Sequence, residues 1–191
     1  VTGIQYWITD YLINVLEIEE VVVYTYFAIL SITGPVLGVV LGGNITTCLG
    51  GYTSEKAINM ACSMAVLSLI SAAPIAFVDN YVVVFVLLWF LLFFGGSILP
   101  CMTGIMLSTV DQNHKTTANS LANFSYNLFG YLPSPFIYGA IYDSGNGNNA
   151  RLAMGFLMFS PLLTVTTLLS ATYLIKRDNF LNYKKQKEDK K

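Results

Sequence analysis

Long apolar runs alternate with short polar links along the whole chain. The runs predict six helices, at residues 1–16, 21–43, 57–78, 81–108, 117–142 and 152–175. All but the first reach the roughly twenty residues that an α-helix needs to cross a bilayer, and the first is interpreted as truncated. The links hold Gly, Asn, Asp and Glu, which are typical of turns. The pattern predicts an all-α, polytopic membrane protein with six transmembrane helices.

Composition supports a membrane protein rather than a soluble domain. Hydrophobic residues make up 54% of the 191 residues and charged residues 11%, with a mean hydropathy of +0.60. A soluble domain carries about a quarter charged residues. The net charge of -1 gives no sign of nucleic acid binding. The lipid bilayer is therefore an expected partner, and nucleic acid is not.

The positions of the basic residues predict the orientation. If the polar tail, residues 176–191, is cytoplasmic, then six crossings place every Lys and Arg except Arg151 on the cytoplasmic side. Basic residues near helix ends are retained on that side of a membrane. The sequence thus predicts a six-helix transmembrane unit over residues 1–175, with its first helix truncated, followed by a basic, mobile cytoplasmic tail over 176–191.

Residues suited to catalysis or to metal binding are few. There is one histidine, His114, in a link, and the three cysteines are widely spaced and form no CxxC pair. No nucleophile elbow, HExxH pair or phosphate-binding glycine loop is present. The expectation is that the chain is not an enzyme and has neither a cofactor nor a metal.

The fifth predicted helix has a polar face. Asn119, Asn123 and Asn127 recur every fourth residue, so their amides stack on one side of the helix. Small or polar residues continue that side: Tyr126, Gly130 and Ser134. Polar residues inside a membrane turn away from lipid, toward a wet cavity or toward partners on other helices. Two interpretations remain open, a cavity wall and hydrogen bonding between helices.

The first predicted helix has a second polar face, which includes Gln5 and Asp10. Asp10 is the one acid inside an apolar run. A carboxylate at membrane depth is typical of an ion or substrate pathway, but Asp10 lies close to the predicted non-cytoplasmic end. A functional role and simple hydration are equally compatible with this position.

Glycine and proline predict close packing and bending. Gly34, Gly38 and Gly42 repeat every fourth residue, a spacing that allows another helix backbone to approach closely. Pro133 and Pro135 flank Ser134 inside the fifth predicted helix. Prolines there produce a static kink or a hinge.

The segment after the second helix, Gly42-Gly43-Asn44-Ile45-Thr46-Thr47-Cys48-Leu49-Gly50, resembles the glycine-framed loop of the major facilitator superfamily. Gly43 and Gly50 keep the glycine spacing, whereas Thr47 and Cys48 stand where an acid and a base are usual. The resemblance implies a cytoplasmic gate element without its charges.

A second resemblance, to Spinster-like lipid transporters and less closely to organic anion transporters, rests on residues of the fifth helix: Thr117-Ala118-Asn119, Gly130, Ser134-Pro135, Gly139 and Asp143. It implies the C-terminal half of a twelve-helix bundle, whose partner is the missing N-terminal six-helix half. In this superfamily the third and sixth helices of a half face lipid.

The function implied by these resemblances is transport of a small, amphiphilic or lipid-like solute by alternating access. Asn119, Asn123, Asn127, Tyr126, Gln5 and Asp10 are the expected cavity residues. Gly34, Gly38, Gly42, Gly43, Gly50, Gly130, Ser134, Pro135 and Gly139 are the expected gate and packing residues. The rival prediction is a structural membrane subunit whose polar faces are assembly contacts.

Overall fold

The computed structural model describes the backbone of residues 2–52, 54–145 and 149–188, and the side chains of these residues except 2, 3, 6 and 178–188. Within them it contains eight α-helices: α1 Thr2–Asn14, α2 Glu20–Cys48, α3 Glu55–Ala72, α4 Tyr81–Ser108, α5 Lys115–Tyr126, α6 Pro133–Ser144, α7 Ala150–Phe159 and α8 Pro161–Glu188. Two 3₁₀ turns, Ala73–Ala76 and Gln112–His114, and a π turn, Asn127–Tyr131, connect some of them. The all-α prediction is confirmed.

Four helical stretches of the described chain are long and apolar enough to cross a membrane. They are Glu20–Cys48, Glu55–Ala76, Tyr81–Ser108 and Ala150–Arg177. The chain is therefore a multi-pass integral membrane protein. The predicted count of six is only partly confirmed, because α1 has 13 residues and the fifth predicted helix divides into α5, the π turn and α6.

Glycines bring α2 and α4 into close contact. A Cβ atom added at Gly38 would lie 2.1 Å from the Phe93 carbonyl oxygen, and one at Gly42 would lie 2.3 Å from that of Ser97. Gly96 on α4 makes the reciprocal approach, 2.9 Å from the Pro35 carbonyl oxygen. Side chains larger than hydrogen would push the two backbones apart, so the glycine repeat sets this helix pair.

The main core lies where α1, α4, α6 and α7 meet. It contains buried side chains of all four helices, among them Ile8, Leu88, Tyr138 and Met154. α7, the first half of the sixth predicted helix, contributes five buried residues on one side, while Leu152 and Phe159 are exposed on the other. The expectation that this helix faces lipid stays a prediction. Pro161 has no N–H to continue the hydrogen bonding of α7, and the helix is interrupted at Ser160.

α3 is the most buried of the four spans, with 50% of its apolar window inside the protein compared with 22% for α2. The uncovered side of α3 includes Ile70, which is 60% exposed, and the expectation that the third predicted helix faces lipid stays a prediction. α3 packs against α4 and α8, where Ala57, Ala61 and Ala65 are buried. Small side chains on this face allow the neighbouring helices to come close.

Two predicted helix ends also differ from the structure. α2 continues to Cys48, so most of the segment predicted as a loop is helical, and the turn comes at Gly50 and Gly51 with φ of 103° and 82°. Glycine suits both positions because other residues rarely adopt a positive φ. The segment predicted as a mobile tail continues α8 to Glu188, and residues 189–191 lie outside the described residues.

Candidate functional site

The π turn at Asn127–Tyr131 gives the fifth segment its shape. Pro133 cannot donate the hydrogen bond that would continue an α-helix, and its ring crowds the carbonyl group four residues earlier. The helix instead forms a wider turn, in which the Leu132 N–H donates to the Asn127 carbonyl oxygen five residues earlier, at 3.0 Å. Such π turns are frequent at functional sites. This one separates α5 from α6 at the predicted polar face.

The three asparagines lie on an exposed face of this segment. The Asn123 side-chain amide donates to the Asn119 carbonyl oxygen at 3.0 Å, and that of Asn127 donates to the Asn123 carbonyl oxygen at 2.8 Å. Both bonds stay within their own segment. Hydrogen bonding of these amides to other helices is therefore not seen in the described part of the chain.

α5 as a whole is poorly covered. None of its residues is buried. Apolar side chains also stand exposed on it: Phe124 is 61% exposed, and Leu121, on the side away from Asn119 and Asn123, is 64% exposed. Amides facing hydrocarbon are costly, whereas leucine and phenylalanine are not. The polar face of α5 therefore requires water or another protein surface against it.

A cavity of about 630 Å³ lies beside the π turn. It brings together four of the predicted residues: Asn127, Tyr126, Gly130 and Ser134. Asn119 and Asn123 do not line it, although they lie on the same face of the segment, two turns and one turn before Asn127. Its volume falls within the range of roughly 300–1,000 Å³ found for small-molecule sites.

Part of the cavity wall comes from residues that sequence reasoning missed. Ser160 and Thr164 lie at the junction of α7 and α8, and Leu99 comes from α4. The pair Ser160-Pro161 is the sequence signal that could have located the junction. The role of Ser160 and Thr164 in the cavity gave no such signal, because they form no continuous polar stripe along the helix.

Gln5 and Asp10 are placed apart from this cavity. Both are partly buried on α1, and Asp10 accepts a hydrogen bond of 2.7 Å from the Asn14 side-chain amide. Neither lines the cavity, which α1 reaches through Ile4. The bond within α1 provides Asp10 with a local partner.

The predicted gate and packing residues fall into two groups. Gly34, Gly38 and Gly42 are buried against α4, whereas Gly43 has only a Pro100 side-chain atom nearby, at 3.9 Å. A Cβ atom at Gly130 or Gly139 would meet no described atom within 4 Å, so no close helix approach requires glycine there. The partly buried Ser134 and Pro135 belong to the first turn of α6.

One part of the chain that lines the cavity resembles a known family. Residues 76–145, just over a third of the chain, match the Organic Anion Transporter Polypeptide (OATP) family, which is related to the major facilitator superfamily. This stretch contains α4, α5, the π turn and α6. The match is to transporters and not to enzymes, in agreement with the expectation that the chain is not an enzyme.

The comparisons do not support the Spinster-like resemblance. The residues on which it was based, from Thr117 to Asp143, all lie inside the stretch that matches the OATP family. Searches of curated proteins and of solved structures gave no match. The fold and the match together define a multi-pass membrane protein with a segment similar to organic anion transporters.

Proposed function

We propose that this chain forms the C-terminal six-helix half of a carrier that moves amphiphilic organic anions across a membrane by alternating access. The observation that carries the proposal is the position of the family match. The matched residues include more than half of the cavity lining and the whole of α5, with its exposed polar face. Two halves rocking about a site between them is the usual design of such carriers.

The uncovered face of α5 supports a second half as the partner. Asn119 and Asn123 are exposed, and their side chains make no hydrogen bond to another helix of the described chain. A second six-helix unit would cover this face and close a water-filled pathway between the halves. In this arrangement the first and fifth predicted helices also cross the membrane. The C-terminus then lies in the cytoplasm, as the distribution of basic residues predicts.

An apolar body with a polar or charged end is the expected substrate class. Leu99, Phe129 and Phe156 provide apolar walls, and Asn127 places an amide among them. Sites of this composition bind mainly through apolar burial, with a few polar groups that fix orientation. This supports lysolipids and fatty-acid anions as candidates of the same chemistry.

Uptake measurements test the proposal. The intact protein would be reconstituted in liposomes and given labelled fatty-acid and lysophospholipid anions, with Asn127→Leu compared to Asn59→Leu, an exposed asparagine of α3 that lies outside the cavity. Saturable uptake is expected, with a loss of roughly fivefold in uptake efficiency for Asn127→Leu, about the value of one hydrogen bond. Asn59→Leu should behave as the unmodified protein.

Two results would count against the proposal. If no anion is taken up with saturation and the protein purifies as a stable complex with other subunits, the polar faces are assembly contacts of a structural subunit. If uptake is saturable but Asn127→Leu and Asn59→Leu are both fully active, the carrier is real and the cavity assignment is wrong.

A further inference from the structure

We infer that the cavity beside the π turn binds the uncharged part of an amphiphilic substrate, and that the substrate's charge is bound elsewhere. The inference rests on the proposed function, because it states which part of the transported solute this half of the carrier recognises. It follows from the chemistry of the lining, from its free hydroxyl groups and from the open space at Gly130.

The described lining of the cavity contains no Asp, Glu, Lys, Arg or His. Apolar side chains, including Leu99, Phe129, Phe156 and Leu163, form most of the wall. Burying a carboxylate or sulfate in such surroundings without a positive partner is very costly. An anionic substrate must therefore place its charged group outside this cavity.

Besides Tyr126 and Tyr131, three residues with hydroxyl groups line the cavity, and they come from two parts of the fold. Ser134 belongs to α6, and Ser160 and Thr164 belong to the α7–α8 junction. None of the three side chains makes a hydrogen bond within the described chain. Thr167, one turn after Thr164 and outside the cavity, instead donates to the Leu163 and Thr164 carbonyl oxygens at 2.9 Å.

Free hydroxyls from two parts of the fold suit a ligand with uncharged oxygen atoms. Each hydroxyl can donate one hydrogen bond and accept others, and the Asn127 side-chain oxygen adds an acceptor because only its nitrogen is used internally. An alkyl or ring system with an alcohol, ester or carbonyl oxygen would satisfy these groups. This is the uncharged portion of a lipid-like amphiphile.

Gly130 provides a way to fill the cavity without disturbing the fold. It lines the cavity, and a Cβ atom there would meet no described atom within 4 Å. A phenylalanine at this position would occupy the space that the inference assigns to the ligand. Gly139 is the matched control, because its Cβ position is equally open but it lies in α6, outside the cavity lining.

The experiment uses two photoreactive probes with the same alkyl chain, one a fatty acid and the other the corresponding alcohol. Both are applied to the intact protein in phosphatidylcholine nanodiscs, and the labelled residues are found by mass spectrometry. Both probes should label the cavity walls, around residues 126–134 and 156–164. Gly130→Phe should reduce binding of both by roughly tenfold, because excluding even two methylene groups costs that much. Gly139→Phe should leave both unchanged.

Each contrary result has a separate meaning. Loss of the acid alone in Gly130→Phe would show that the cavity recognises charge, and equal loss in both glycine variants would show damage to the fold; either would overturn the inference. Cross-linking of nanodisc phospholipid in place of the probes would identify a fixed lipid site and overturn it too. Saturable uptake of the fatty acid, measured in liposomes, separates this inference from the proposed function. If Gly130→Phe leaves that uptake intact, the binding role assigned to the cavity is wrong, while the proposal that the protein is a carrier stands.

Discussion

The Trp7 and Tyr138 rings stack with their centroids 4.4 Å apart and their planes 20° apart. This contact ties α6 to α1, and Tyr138 is fully buried in the main core. α5, on the other side of the π turn, has no buried residue. The π turn therefore joins an anchored helix to an uncovered one, which places any bending of the fifth segment at Asn127–Tyr131.

Replacing Tyr138 should separate ring packing from the hydroxyl group. Tyr138→Ala should lower the free energy of unfolding by about 3–5 kcal/mol, as large aromatic truncations in a core do. Tyr138→Phe should be neutral or stabilising, because the buried hydroxyl has no hydrogen-bond partner within the described residues. Thermal unfolding in nanodiscs measures both. A Tyr138→Phe variant as unstable as Tyr138→Ala would mean that the hydroxyl is bonded.

Gly38→Ala should disrupt the contact between α2 and α4. The added methyl group would lie 2.1 Å from the Phe93 carbonyl oxygen, a backbone atom that cannot turn aside. A loss of about 1–3 kcal/mol in stability is expected from such overpacking. Gly43→Ala on the same helix is the control, because its nearest neighbour is 3.9 Å away. Equal thermal stability of the two variants would contradict the close approach.

The ion pair between Arg151 and Asp79 should contribute little. The Arg151 guanidinium donates to the carboxylate of Asp79, which lies just before α4. The Arg151 side chain is 52% exposed and that of Asp79 72%. Exposed pairs are worth about 0–1 kcal/mol. Arg151→Gln should therefore shift the melting temperature only slightly, and less at high salt. A large, salt-independent shift would show that this pair is shielded from water in the assembled protein.

Cysteine labelling tests the proposed orientation. Cys48 is exposed at the C-terminal end of α2, which the proposed orientation places in the cytoplasm, while Cys101 is buried in α4. A membrane-impermeant maleimide should label Cys48 in inside-out vesicles and not in intact cells, and Cys48→Ser should remove that signal. Labelling of Cys48 in intact cells would reverse the orientation inferred from the basic residues.

Much of the helical layout could be predicted from hydropathy. α4 occupies the predicted residues 81–108, because its run from Tyr81 is apolar and its N-terminus is capped by Asn80, whose side-chain oxygen accepts from the Val82 N–H at 3.0 Å. The end of α2 was missed because Asn44, Thr46 and Thr47 are polar. In the structure the Thr46 and Thr47 hydroxyls bond to carbonyl oxygens four residues earlier, so the helix continues.

Only some of the residues that line the cavity could be predicted from the sequence. The asparagine spacing indicated which face of the fifth segment is polar, but Pro133 acts on the hydrogen bonds of residues before it, and the π turn does not follow from periodicity. Ser160 and Thr164 reach the cavity through the packing of α7 against α6 and α1, which no local pattern encodes. The burial of α7 and α3 was missed for the same reason, since an all-apolar helix does not show which side faces lipid.

The most direct test of the account is whether water and substrate reach the polar face of α5. Asn123→Cys and Leu121→Cys place a thiol on nearly opposite sides of this helix. A charged, membrane-impermeant thiol reagent should modify Asn123→Cys in the reconstituted protein and leave Leu121→Cys unmodified, and the transported anion should protect position 123. Equal modification of both, or modification of Asn123→Cys that no candidate anion slows, would contradict a substrate pathway along this face.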